Sequence, residues 1–469
     1  MVSANLFQMK GAQRMSRKTT PAKQTAQQRE SVVRRIAGAA LPLYLTMIAS
    51  SAGALVDTAV LGQHTTSSLA AFTVAMAVFT PSTAAVNGVM RGVMPFVAAH
   101  DDDPDALLPT VRNGTWLAMV VGAVAAVAVL GVPLLGAWTG VPREVLDELG
   151  WFPALLACSL VCTALASSAT SVLVGLGRGK LVMRAGLWGT GTAVLLSLLL
   201  VPGAGPLPSL GLVGAGVAIL ASNIITAGVA QLSLHRSTVL AGHSLNPGRP
   251  VPREMLALAK VGVPLAGTVL IKFAVLGVLG FAAARLGAET AAVHSICISL
   301  ANLVFTAAVA IGQATVPTVA GHVRDGDVQG VRRGVMAGLQ VAVVAIGTLG
   351  AVIAVLHDLI IPVFTDDQRL QERVAGMLAI LLVVVMADAV QAVCGFGLIS
   401  IRRTMPSLVT FAVCYGVLSL VSVPTADVGG LTGLWLALAG ANLLLILGQA
   451  LSFQRHSGRL RPASATPAG

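Results

Sequence analysis

Long runs of apolar residues alternate with short polar breaks along this chain, and the runs have the length of helices that cross a bilayer. A crossing needs roughly 20 apolar residues. The charged or Gly/Pro-rich breaks delimit twelve such stretches, near 38–60, 69–98, 114–138, 151–176, 182–202, 211–234, 255–283, 290–320, 335–357, 375–400, 405–424 and 431–453. The pattern therefore predicts an all-α polytopic membrane protein with twelve transmembrane helices. Only 10% of the 469 residues are charged, less than half the share a soluble domain carries. The charge is confined to loops.

Where the charge falls sets the expected orientation. Residues 1–36 are hydrophilic and basic, with Lys10, Arg14, Arg17, Lys18, Lys23, Arg29, Arg34 and Arg35 against Glu30 alone. They read as a disordered cytoplasmic tail and not as a cleavable signal. With an even number of spans, both termini and the even-numbered loops share one side, and most Lys and Arg residues lie there. Only Arg143, Arg285, Arg369 and Arg373 fall opposite, which places the termini in the cytoplasm of a multi-pass cell (inner or plasma) membrane protein. The loop after span 2 holds Asp101, Asp102, Asp103 and Asp105, but acidic residues weigh little in that rule. The cluster reads as a solvated helix start and not as a metal site. The net charge of +11 reads as topology plus attraction to the lipid bilayer. Without interleaved aromatics it does not indicate nucleic acid. Cys158, Cys162, Cys297, Cys394 and Cys414 all lie in apolar spans, as small buried hydrophobes with neither a disulfide nor a metal implied.

The chain also repeats itself at an offset of about 220 residues. Pro95, Phe96, Val97, Ala98, Ala99 and His100 are answered by Pro317, Thr318, Val319, Ala320, Gly321 and His322, and Gly211, Leu212, Val213, Gly214 and Asn223 by Gly430, Leu431, Thr432, Gly433 and Asn442. Six spans repeated once give two pseudo-symmetric lobes that enter the membrane from the same side. The expected organisation is an N-lobe over 37–234, a cytoplasmic linker over 235–254, a C-lobe over 255–454 and a cytoplasmic tail over 455–469. Two lobes around a cavity suit alternating access by rocking. No HExxH, Gly-x-Ser-x-Gly or paired-carboxylate array suggests an enzyme, and nothing calls for a cofactor. The run Gly175, Leu176, Gly177, Arg178, Gly179, Lys180 fails as a phosphate loop, because Val174 stands where the first glycine belongs and Leu181 replaces the metal-binding hydroxyl.

Within the first span stands an ionisable residue, Asp57, and such a group in hydrocarbon is costly and usually functional. Thr46, Ser50 and Asp57 fall on one helical face. Its surroundings, Val56, Asp57, Thr58, Gly62 and Leu69, Ala70, Ala71, resemble the signature of the multidrug and toxic compound extrusion (MATE) family. The run from Leu286 to His294 followed by Ile311, Gly312, Gln313 and Ala314 is similar to the second-lobe counterpart. Asp388, Ala389, Val390 and Gln391 with Gly395, Arg402, Arg403 and Thr404, then Gly430 to Trp435, look like the family's last three spans. The resemblance covers about 38–453. It implies a secondary antiporter that exports amphipathic organic small molecules in exchange for H⁺ or Na⁺, with Asp57 coupling the ion and Pro42 letting the first helix bend.

Two departures from that family sharpen the picture. Eight residues after Gly262-x-Pro264, where relatives carry a glutamate, stands Lys272. A lone lysine in the membrane is costly, so a pair with Asp388 is expected, with snorkelling to an interface as the alternative. Where relatives carry an asparagine and an aspartate in span 5, only Thr192 and Ser197 occur. A hard cation needs several oxygen ligands, so H⁺ is favoured over Na⁺. Further candidates to line the cavity are Tyr44, Thr46, Ser50, Thr58, Asn87, Arg91, His294, Gln313 and Gln391. Asn223, Asn302 and Asn442 read as links between helices. The alternatives are a lipid-linked saccharide flippase, which Lys272 and Arg91 would suit, and an ion channel, for which no filter-like turn is seen. Function as a monomer is expected.

Overall fold

A computed structural model describes residues 21–460 except 101–102, 204–208, 238, 241–242, 244–245 and 247. The described residues form helices and no strand. Ten long helices come first: α1 Pro21–His64, α2 Thr66–Arg91, α3 Pro104–Leu130, α4 Phe152–Gly175, α5 Gly179–Leu200, α6 Gly211–His235, α7 Pro252–Arg285, α8 Ala288–Arg324, α9 Val328–Val355 and α10 Gln368–Ser400. The last element, Met405–Ser457, is 53 residues long, about 80 Å of helix and far more than one crossing needs. It doubles back at Gly430, whose φ of 58° and ψ of −150° suit glycine alone. Two pairs fix the reversal: Tyr415 Oη donates to Asn442 Oδ1 at 2.9 Å, and Gln449 Nε2 to Ser407 Oγ at 2.8 Å. We label its halves α11 (405–429) and α12 (431–457). Among the described residues, the eleven helices long and apolar enough to cross a membrane thus supply twelve crossings.

The helices outrun the apolar stretches because hydrogen bonding does not stop where hydropathy falls. α1 begins at Pro21, so residues 21–36 are helical and not the disordered tail expected. Ile36 is fully buried there, against Ile311 and Val341 of the other lobe. Residues 1–20 and 461–469 of the two expected tails lie outside the described residues, as do Asp101 and Asp102. α3 starts at Pro104, capped by Asp103, which accepts from the N–H groups of Asp105 and Ala106. Cys158 is exposed on its helix surface and is not buried.

Each lobe has its own core. Leu61, Met90, Phe152 and Leu160 centre the first, and Leu279, Val293, Tyr415 and Trp435 the second. The lobes meet at the end of the molecule that carries both termini. There α2 and α7 cross at backbone distance: a Cβ at Gly88 would sit 2.8 Å from the Cα of Ala266, and one at Gly92 would strike the backbone of Gly262. Arg402, left-handed at φ 58° in the turn after α10, donates to Pro95 O at 3.3 Å and covers the Phe96 ring at 4.1 Å. Asn113 Nδ2 donates to Glu254 Oε2 at 2.5 Å and ties α3 to the start of α7. At the opposite end, Ser68 with Glu148, Arg373 with Glu289, and Arg285 with Asp427 each stay within one lobe. The two lobes are closed together at one end and separate towards the other.

Candidate functional site

Small residues bring the first site together. α1 and α5 approach closely because Gly53 faces Thr190 and Gly186 faces Thr46, the kind of contact that lets helices pack tightly in lipid. That approach lets Ser197 Oγ donate to Asp57 Oδ1 at 2.5 Å, with Asp57 6% exposed. Beside the pair opens a cavity of about 730 Å³, enclosed mainly by α1, α2, α4, α5 and α6. Phe72, Met76 and Phe79 of α2 give it an apolar wall. Ser167 and Thr170 of α4 and Thr226 of α6 give it a wall of hydroxyls. The C-lobe adds Phe273, Thr306 and Gln313.

Of the residues expected at the cavity, Thr46, Ser50, Asp57, Asn87, Arg91 and Gln313 line it. Asn87 Oδ1 accepts from Ser167 Oγ. Four others do not line it. Tyr44 is half-buried between the two lobe cores. Thr58 turns its hydroxyl back onto Ala54 O at 3.0 Å, on an exposed face. His294 is buried within the C-lobe, where its Nδ1 accepts from Trp435 Nε1 at 3.2 Å. Gln391 donates to Gln449 Oε1 at 3.1 Å. Thr58, His294 and Gln391 thus hydrogen-bond inside one lobe. Pro42 stands inside α1, its carbonyl accepting from Thr46 Oγ1 at 2.8 Å. The hydroxyl face of α4 was missed by sequence reasoning, although Thr163, Ser167, Thr170 and Ser171 repeat at helical spacing.

The C-lobe brings its two ionisable residues into contact. Lys272 Nζ lies 2.6 and 2.9 Å from the Asp388 oxygens, and 3.4 Å from the centroid of Phe305. The side chains are 16% and 12% exposed. Only about 20 Å³ of space remains beside them, edged by Tyr415, Trp435 and Asn442, room for about one water. Among the described residues no three His, Cys, Asp or Glu side chains converge as metal ligands would.

The MatE family model matches the chain twice, over residues 42–199 and 264–425, once in each lobe. The chain belongs to the MATE family. It is a membrane transporter and not an enzyme. A "Probable multidrug resistance protein NorM" from Aromatoleum aromaticum is 26% identical over 387 residues, covering 80% of this chain and 82% of that protein. A protein of the same description from Deinococcus radiodurans is 28% identical over 453 residues, covering 91% and 95%. Among solved structures, a MATE protein in the straight conformation superposes with a TM-score of 0.82 at 17% identity, covering 92% of this chain and 97% of that one. At that identity the likeness concerns the fold.

Proposed function

We propose that this MATE protein is a proton-driven antiporter that exports amphipathic organic compounds, with Asp57 as the residue that couples proton entry to release. The observation that carries the reading is the position of Asp57. It is the single acid among the residues lining the cavity, and one hydroxyl, Ser197, holds it there. A buried carboxylate with a neutral partner can take up and give back a proton at modest cost. A sodium ion would call for several convergent oxygens, and α5 offers Asp57 the Ser197 hydroxyl alone. The distribution of Lys and Arg supports cytoplasmic termini in the plasma membrane, so the closed end faces the cytoplasm and the lobes part towards the outside. Pro42 serves as the hinge of α1, since its ring removes one helical hydrogen bond. A single chain encloses the cavity, which supports function as a monomer.

Efflux from proteoliposomes under imposed gradients tests the reading. A pH gradient alone should drive export of an amphipathic dye, and a sodium gradient at equal pH should not. Export driven by sodium alone would overturn the proton assignment.

A further inference from the structure

The charge inside the N-lobe cavity is set by two side chains, because Asp57 is the single acid and Arg91 the single base among its lining residues. Asp57 has Ser197. Arg91 stands half-buried in the cavity wall and has no hydrogen-bond or ion-pair partner among the described residues. The chain's other arginines at the lobe seam behave differently: Arg402 reaches Pro95 O, and Arg324 reaches Ala99 O. A cation held within the membrane without a partner is costly. Two positions back along the same face of α2, at successive spacings of four, stand Asn87 and Thr83. Thr83 Oγ1 is buried and also without a partner. Apart from Asp57 of α1, the groups that share the cavity with Arg91 from other helices, among them Ser171 and Val174 of α4, Val182 of α5 and Gln313 of α8, carry no charge.

The two charges stand at different depths. Leu43 and Met94 mark the inner end, since both approach the α4–α5 turn at Gly179 and Gly175. Arg91 lies one turn from Met94, whereas Asp57 is about four turns along α1 from Leu43. Between them run Phe72, Met76 and Phe79.

We propose that Arg91 anchors the carboxylate of the transported molecule, and that the cavity takes a zwitterionic amphiphile whose cationic end meets Asp57. The inference rests on the proton-antiport reading and names its substrate class. A guanidinium presents paired donors that match a carboxylate and form strong charge-assisted bonds. Linkage then selects among substrates. A pure anion binds better once Asp57 is protonated, so proton and cargo would travel together instead of exchanging. A pure cation is displaced by the proton but leaves Arg91 facing a like charge. A zwitterion satisfies Arg91 and still loses its contact at Asp57 when the proton arrives. A cavity of about 730 Å³ is of the size that encloses a molecule of several rings.

Tetramethylrhodamine, a zwitterion, and its methyl ester, a cation, differ at the carboxylate alone. Their binding to the purified full-length protein in detergent, read by fluorescence polarisation in mildly alkaline buffer, needs no transport. The zwitterion should bind about tenfold tighter than the ester. Arg91→Gln should erase that preference by weakening the zwitterion and tightening the ester several-fold, and Arg91→Lys should keep part of it. Excess benzoate should displace the zwitterion but not the ester from the wild-type protein, a measurement that holds even if a variant misfolds. An unchanged ratio in Arg91→Gln, a wild-type preference for the ester, displacement of both dyes by benzoate, or binding of neither dye would overturn the anchor. Absent pH-driven efflux with the binding preference intact would instead count against the exporter reading.

Discussion

The two lobes share one six-helix plan and treat their buried charges in opposite ways. In the N-lobe, Asp57 and Arg91 face a cavity of about 730 Å³, and the walls beside Asp57 are serine, threonine, alanine and glycine. In the C-lobe, Lys272 and Asp388 face each other, and Trp435, Tyr415 and Phe305 crowd the space until about 20 Å³ remains. Side-chain volume separates a hollow lobe from a filled one. A charge beside a cavity stays available to ligands, whereas a pair sealed among aromatics is already neutralised.

The sharpest way to break this contrast is to remove charge from each lobe in turn. Asp57→Asn should reduce pH-driven efflux in proteoliposomes to the level of empty vesicles. The double replacement Lys272→Met with Asp388→Leu should retain it, and loss of coupling there would make the C-lobe pair part of the ion path. The next effect is on stability. Lys272→Ala leaves Asp388 buried and unpaired, which should lower unfolding stability in detergent by about 3–5 kcal/mol. The double replacement should recover most of that loss, because a well-packed apolar pair can stand in for a buried ion pair. Equal melting of the single and double variants would show that the pair contributes packing alone.

The smallest expected effect lies outside the membrane, in the turn before α9. Asp327 caps that helix through the Gly330 N–H and lies 3.2 Å from His322 Nδ1. The Gly330 bond first, and His322 beside it, hold its carboxyl below the usual carboxylate range. A depressed value means a stabilising contribution that is complete above the ordinary range and lost as pH falls through the lowered one. Asp327→Ala should therefore cost about 0.5–1 kcal/mol at neutral pH, at the low end for a cap because the side chain is half exposed. The gap between variant and wild type should narrow below about pH 4. A gap that stays constant with pH would assign the effect to helix propensity.

The crossings were legible because lipid leaves so few alternatives: a run of apolar residues between charged breaks has to be helical. The repeat was legible at Pro95–His100 and Pro317–His322 as a likeness of residues, although the first segment follows a break after α2 through a short helix at Met94–Val97 and the second runs inside α8. Asp57 and the pairing of Lys272 with Asp388 could be anticipated from cost alone, since each charge in hydrocarbon demands a reason. What escaped was direction across the lobe. His294 and Gln391 looked like cavity residues, yet Trp435 and Gln449 satisfy them inside the C-lobe. Nothing in a single helix says which neighbour will meet a polar side chain. The hydroxyl face of α4 escaped for a related reason: serine and threonine can return their hydrogen bonds to their own helix, as Thr163 does to Ser159 O at 2.8 Å, so their presence in a span carries little cost and little signal.

The crossing of α2 and α7 has a mechanical consequence. At Gly88, Gly92 and Gly262 the two backbones come together with no side chain between them. At those positions the seam parts like two flat plates, without any rotamer having to unthread first. What resists opening is the loss of short-range attraction across the plates, together with the tethers from Arg402 to Pro95 and from Arg324 to Ala99. The lobes are thus fastened at a few polar points and at the apolar contact of Ile36 with Ile311 and Val341, and the ease of rocking is tuned by those fasteners.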